Sequence, residues 1–307
     1  MSNRSTVCIL MSTYNGEKYI IEQLNSLLNQ EDISAQILIR DDGSTDNTIN
    51  IIKKYASLYK QINVIYGTNI GVKNSFFELI RHAPNAQYYA FCDQDDIWDN
   101  KKLINAVQKM KNNIDEPMCY FSNYRLIDQN NNIILDKGNR HKKQYLLADI
   151  LYSNPAPGCS MVLNNKLWSL LKEQMIPENT FMHDRWILLV SCFIGKVIYD
   201  NKPSFSYRQH SNNTVGYSQN TFVMKIVKKV KDIFLSRKIP VEDEVQEIYK
   251  TFYKKIHPKY NLFLTKISTY QSSFFIKISL LLDSNLKCSS LLTELILKIR
   301  IIIFNRI

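Results

Sequence analysis

Four times in the first hundred residues, a short apolar run gives way to a polar turn and then to apolar residues at helical spacing. "TVCILMSTY" leads through "NGEKY" into "IIEQLNSLLNQ". "AQILIRDDGS" leads into "TDNTINIIKKYASLYK", with Ser44 or Asp46 suited to cap the helix. "INVIYG" precedes "VKNSFFELIRHA", and "QYYAFC" precedes "DNKKLINAVQKMK". Apolar runs of strand length alternating with amphipathic helices predict a parallel sheet covered on both faces, joined by right-handed crossovers. Ligands bind such sheets beyond the carboxyl ends of the strands. There the sequence puts "STYNGE", "DDGSTDN", "GTNIGVKN" and "DQDDIWDN".

From about Glu116 to Arg208 the pattern is less regular. It predicts a hairpin, "MCYFSNYRLID-QNNN-IIL", a loop at "NRHKKQ", a short helix at "YLLADILY", and a turn at "SNPAPGCS". "MVLNNKLWSLLKEQ", the helix "DRWILLVSCFIG", and "KVIYD" with "SFSYRQH" follow. Beyond Gln219 the chain turns basic and helical. "FVMKIVKKVKDIFLSRK" and "LLTELILKIRIIIFNRI" are amphipathic with cationic polar sides. The expected organisation is a catalytic-sized domain over 1–219 and a helical region over 220–307.

Composition sharpens this picture. At 307 residues and 45% apolar, the chain can build a substantial core. Its net charge is +11, and from Thr221 onward 16 lysines and arginines face 7 acids, so the basic excess belongs mostly to the tail. Six scattered cysteines without a C-x-x-C pair argue against a disulfide framework or a zinc ribbon and fit a reducing compartment. With neither a signal-peptide pattern nor a run approaching the ~20 apolar residues of a membrane span, the expected location is the cytoplasm. No helix-turn-helix, zinc knuckle or stacking surface supports nucleic-acid binding. The tail's amphipathic stretches suit the anionic cytoplasmic face of the inner membrane, or packing onto protein as in an oligomer.

Candidate chemistry centres on "DQDD". Asp93 and Asp95 form a D-x-D on a strand-to-helix turn, an oxygen donor set for Mn²⁺ or Mg²⁺ bridging to a diphosphate. The plainer reading is a solvated turn capping a helix that starts at Asp96 or Asp99. "DDIWD" also reads as the D-D-x-x-D of prenyl-chain synthases, but that motif needs a helix and here it follows a strand. "DDGSTDNT" serves a tight turn or a ligand equally well. "HDRW" puts His183 and Asp184 at a helix start, either as capping groups or with Asp184 as a general base. In "YRQHSNNTVG", Arg208 and His210 follow a strand, where they suit a phosphate, a metal or a polar loop.

Taken together, "STYNGEKYIIEQLNSLLNQ", "ILIRDDGSTDNT", "NIGVKNSF", "FCDQDDIWDNKKL", "PGCSMVLNNKL", "HDRW" and "YRQHSNNTVG" resemble glycosyltransferase family 2, the inverting GT-A enzymes that use nucleotide sugars. The "DQDDIW", "HDRW" and "YRQHSNNTVG" variants resemble those of bacterial rhamnosyltransferases of surface polysaccharide synthesis. The resemblance covers about residues 5–217. It implies an α/β, Rossmann-like GT-A fold with the helical basic extension outside it. It further implies Thr13 and Tyr14 at the nucleobase, Asp42 at base or ribose, and Asp93 at the ribose or a metal-bound water. Asp95 would ligate the metal with His210 completing its shell, Arg208 would pair with the diphosphate, and Asp184 would be the catalytic base. The chain departs from many relatives in carrying His183 where they have Glu, and Arg185 where they have an aromatic. The implied donor is dTDP-L-rhamnose, with UDP-hexoses and UDP-N-acetylhexosamines as alternatives. The implied acceptor is a polysaccharide or lipid-linked saccharide. The rival from another class is a non-catalytic nucleotide-sugar or polysaccharide-binding module.

Overall fold

The computed structural model describes residues 4–113, 115–139, 144–174, 182–210 and 241–304. The first three strand–helix pairs and the fourth strand form as the pattern predicts: β1 (Ser5–Thr13), α1 (Ile20–Leu28), β2 (Ile33–Asp41), α2 (Thr48–Leu58), β3 (Ile62–Tyr66), α3 (Gly71–His82), β4 (Tyr88–Cys92). After β4 the chain departs from the simplest expectation. The acid turn runs into a two-residue strand, β5 (Ile97–Trp98), and only then into α4 (Lys102–Met110). Asp96 therefore does not cap the helix. The hairpin β6 (Met118–Ile127) and β7 (Ile133–Leu135) and the short helix α5 (Leu147–Tyr152) match the sequence reading. So do β8 (Met161–Asn164), α6 (Asn165–Glu173) and α7 (His183–Ile194). "KVIYD" and "SFSYR" belong to one long strand, β9 (Lys196–Arg208).

The nine strands make one sheet in the order β3-β2-β1-β4-β8-β6-β9-β5, with β7 on β6. β1, β2, β3 and β4 are parallel, as expected. β8 runs antiparallel to both β4 and β6, so the sheet is mixed. β4 is buried along its whole length. Val7, Ile9 and Met11 of β1 join Ile37 and Ile39 of β2, Ala90 and Cys92 of β4, and Trp98, Cys159 and Phe205 in one apolar core.

Contacts divide the chain into two units. The first takes in residues up to 141, 156–191 and 195–209. The second takes in 142–155, 192–194 and everything from 210. Within the second, helices Val241–Phe252, Asn261–Thr269, Phe274–Leu281 and Leu291–Phe304 bury Val245, Ile248, Phe263, Leu264, Ile267, Leu297 and Ile301. Asp149 of α5 belongs here because its carboxylate accepts the backbone N–H of Ser289 (3.1 Å) and its hydroxyl (3.0 Å). The helix expected at "FVMKIVKKVKDIFLSRK" lies outside the described residues.

The loops at the carboxyl edge of the first unit are tied to one another. Asp41 accepts the N–H groups of Gly43 and Ser44 and the hydroxyls of Ser44 and Thr13. The N-cap of α2 is Asn47, whose side chain makes no capping bond; Asp46, one residue before it, accepts the Thr48 N–H at 3.0 Å. Asp42 is paired with buried Arg40 at 2.5 Å and accepts the N–H groups of Ile70 and Gly71, both at 2.9 Å. It thereby caps α3 from the neighbouring strand, at a start where Gly71 adopts φ +81°. Removing one partner of a buried pair leaves the other charge uncompensated. Arg40→Ala is expected to lower stability by ~3–5 kcal/mol in denaturant unfolding. A loss under about 1 kcal/mol would show that Asp42 is satisfied by the backbone alone.

Candidate active site

The acid turn sits where β4 leaves the sheet. Asp93 and Asp95 are partly buried and Asp96 is wholly buried. Cys159, from the tight turn before β8, comes up beside them. One donor atom each from Asp93, Asp96 and Cys159 lie within 4.8 Å of one another. Burial is the largest cause raising the Asp93 carboxyl, to about 7, with the charges of Asp95 and Asp184 adding to it. Asp96 is pushed up by the same burial and by Asp95 and Asp93. Its Oδ1 accepts the Arg208 N–H at 3.2 Å, whereas its Oδ2 is buried without a hydrogen-bond partner. Mutually repelling carboxylates with an orphaned oxygen form a donor set that a hard divalent cation relieves.

Two buried cations hold this turn. The first is Arg208, whose Nε donates to the Asp95 carbonyl (2.8 Å) and whose Nη2 meets Glu22 of α1 at 2.6 Å. Nη1 donates to Asn131, and the guanidinium lies over the Tyr19 ring at 4.6 Å. The side chain is 1% exposed, while that of Glu22 is 47% exposed. A phosphate reaching Arg208 therefore has to take Glu22's place. The second cation, Lys102, was not singled out in the sequence. Burial is the main cause lowering its ammonium, to about 8, against the opposing pull of Cys159, Asp96 and Cys92. Its Nζ lies over the rings of Trp98 and Phe205 at 4.7 and 4.3 Å. Its signal was legible: Lys102 shares one stripe of α4 with Leu103, Ala106, Val107 and Met110.

Asp184 opens α7, partly buried, with Oδ1 accepting the Arg185 N–H at 2.7 Å. It is near enough to Asp93 to raise that carboxyl. The helix start seats on Gly158, where an added Cβ would lie 2.8 Å from His183 Nε2 and 3.6 Å from the Asp184 Cβ. His183 is stacked on Phe76 (4.1 Å) and near Phe91 (5.2 Å), and burial lowers its pKa, so it stays neutral.

The nucleotide candidates fall into two groups. Thr13 is buried against Asp41. Tyr14 is exposed, and its backbone is clamped at both ends by the Gln94 amide, at 2.9 and 3.0 Å. Gly16 makes room for that clamp, because a Cβ there would lie 2.2 Å from Gln94 Oε1. Asp42 faces Arg40 and the start of α3. His210 belongs to the second unit, and the group of metal-capable side chains found among the described residues contains neither His210 nor Asp95. Residues 211–216 of "YRQHSNNTVG" lie outside the described residues.

This arrangement, a mixed sheet with an acid turn at the end of its fourth strand, is that of a GT-A glycosyltransferase, and the chain belongs to the glycosyl transferase family 2, whose family model matches residues 8–171. It is 34% identical to the dTDP-rhamnosyl transferase RfbG of Shigella flexneri over 221 residues, covering 67% of this chain and 73% of that one. It is 31% identical to the putative teichuronic acid biosynthesis glycosyltransferase TuaG of Bacillus subtilis, covering 51% of this chain and 61% of that one. Among solved structures, S. aureus TarS (residues 1–349) is similar in fold, with a TM-score of 0.55 at 16% identity over 91% of this chain and 76% of that one.

The raised carboxyls have a pH consequence. The unfolded chain releases the Asp93 proton near pH 4, the folded chain near about 7. Between those values the folded state binds more protons, so stability falls as pH rises through the window. Buried neutral His183 contributes in the opposite sense over this range, so the carboxyl effect is read as a difference. Asp93→Asn is expected to lose part of the fall in melting temperature between pH 5.5 and pH 8, with Mn²⁺ restoring more stability to the unaltered chain at the higher pH. Equal stabilisation by Mn²⁺ at both would separate the carboxylates from the metal.

Proposed function

We propose that this chain is an inverting rhamnosyltransferase that moves L-rhamnose from dTDP-L-rhamnose to a hydroxyl of a growing, lipid-linked surface polysaccharide. The rhamnosyl donor is supported by the 34% identity to RfbG. The chemistry is supported above all by Asp184, a carboxylate at a helix start within electrostatic reach of the acid turn. In this reading Asp184 accepts the proton of the acceptor hydroxyl as that oxygen attacks the anomeric carbon opposite the leaving diphosphate. One displacement inverts the configuration, and a single protein base is enough.

Thr13, Tyr14 and Asp42 would border the nucleoside, with Gln94 holding the Tyr14 backbone in place. Asp95 would hold Mn²⁺ or Mg²⁺, with Asp93 turned to the ribose or a metal-bound water. A divalent ion so held offsets the charge on the departing diphosphate. Arg208 would add to that offset by exchanging Glu22 for phosphate oxygens.

The lipid-linked acceptor calls for contact with an anionic bilayer. Phe274, Phe275, Leu282 and Leu291 are each at least 71% exposed, and Lys277 and Lys287 stand among them in sequence. Apolar side chains flanked by lysines suit an anionic interface. Among the described residues no helix is long and apolar enough to cross a membrane.

A panel of nucleotide sugars, titrated with Mn²⁺ and then with EDTA, tests the donor reading. Metal-dependent binding of dTDP-L-rhamnose alone is expected. Asp184→Asn should cut turnover by ~10²–10⁴-fold while leaving donor affinity intact, and Asp95→Asn should weaken the metal-dependent binding itself. Binding of a UDP-sugar instead would reassign the donor, and binding without turnover would leave a carbohydrate-recognition module. For the second unit, flotation with anionic but not neutral vesicles is expected, and Phe274→Glu with Phe275→Glu should abolish it. Vesicle-independent behaviour would point to an interface with protein.

A further inference from the structure

We infer that Asp93, Asp96 and Cys159 form a thiophilic metal site beneath the acid turn, one that takes a d¹⁰ divalent ion such as Zn²⁺. Two carboxylates and a thiol offer one donor atom each within 4.8 Å of one another. An ion bound by all three holds such atoms roughly 3.5 Å apart, since Zn–O and Zn–S bonds are about 2.1 and 2.3 Å. An inward movement of about 1 Å closes the set. The buried Oδ2 of Asp96 makes no hydrogen bond of good geometry, and the polar side chain that Asp96 does interact with is the Cys159 thiol, the third donor of the set.

The donor chemistry separates this site from the one invoked for sugar transfer. Mg²⁺ and Mn²⁺ prefer oxygen ligands, whereas a thiolate selects Zn²⁺ and similar soft ions. Cys159 is held for the purpose: it is the middle residue of the turn Gly158–Ser160, where the Ser160 N–H closes on Pro157 O at 2.8 Å. As the metal bonds form, the S–H bond breaks, and the thiol proton leaves to solvent together with any proton held by the Asp93 or Asp96 carboxyl, with no change of oxidation state. Two carboxylates, one thiolate, one divalent ion and the buried Lys102 ammonium sum to zero charge. Lys102 is thus the counter-ion that lets a three-anion site fill without a net buried charge.

Only the functional consequence rests on the glycosyltransferase reading. An ion on Asp93 and Asp96 would pin the turn and compete with donor binding, making Zn²⁺ an inhibitor against Mn²⁺. The site itself is tested without turnover. Co²⁺ titrated into the metal-stripped full chain, with a non-thiol reductant, should produce a thiolate-to-cobalt charge-transfer absorption in the near ultraviolet. Zn²⁺ should abolish the band by displacement and Mg²⁺ should not. Cys159→Ser should lose it, and Cys288→Ser should keep it. A crystal of the unaltered chain soaked in Zn²⁺ should show an anomalous peak at bonding distance from Cys159 Sγ. That measurement serves even where a substitution prevents folding. No band in the unaltered chain, a band that survives Cys159→Ser, or a soaked crystal without the peak would overturn the site. An absence of donor turnover would leave the cobalt result untouched, so the two readings fail separately.

Discussion

Three carboxylates in four positions, at the end of a strand buried along its whole length, would drive one another out of the protein without positive charge from elsewhere. Lys102, at the start of α4, supplies positive charge to this field. Arg208, arriving at the end of β9 with its guanidinium paired to Glu22, holds the turn by its main-chain N–H on Asp96 and its Nε on the Asp95 carbonyl. Both cations are buried. Each therefore has to be desolvated and repaid by good geometry. Arg208 achieves this with donors to Asp95, Asn131 and Glu22 and a ring beneath it. Lys102 has two aromatic faces and the carboxylates' field. The acid turn, β5 and the edge of the site depend on this exchange of charge.

Helix α1 is the second support. Glu22 grips Arg208, and Gln23 donates to the Cys92 sulfur at 2.7 Å. Ser26 accepts the Trp98 N–H (3.1 Å), and Gln30 bonds to both Asp99 O and the Leu103 N–H. Glu22, Gln23 and Ser26 of the helix, with Gln30 just beyond its C-terminal cap Asn29, reach the segment from the end of β4 to the start of α4. A helix that looks like ordinary sheet cover thus positions the acid turn and β5, because its polar side chains replace water at backbone groups the short strand leaves unpaired.

The loops after β1 and β2 are joined in the same manner, through Asn15, Ser44 and Thr48. The Ser44 hydroxyl bonds the Asn15 N–H, and the Thr48 hydroxyl bonds the Gly16 N–H. With Gln94 clamping Tyr14, the first, second and fourth strand ends behave as one piece. A site pre-formed in this way spends little of a ligand's binding energy on ordering loops.

The period of apolar residues along the chain determined the first four strand–helix pairs, their parallel order and the edge where polar turns gather. That information is local, since each strand run and helix stripe is contained in a dozen residues. The ordered motifs also determined the family, and they singled out the acid turn, Asp184 and Arg208, which the fold brings near one another. Tertiary structure decided what is not local. It made β5 by pairing Ile97 and Trp98 with Phe205 and Ser206, more than a hundred residues away. It turned Asp42 into a partner of Arg40 and a cap for α3, enclosed Arg208 behind Glu22, and set Cys159 beside Asp93 and Asp96. It also drew α5 into the second unit through Asp149 and Ser289, although composition put the boundary near Gln219. Such choices follow from which charges and N–H groups must be paired once water is gone, and distant segments meet only in the folded chain.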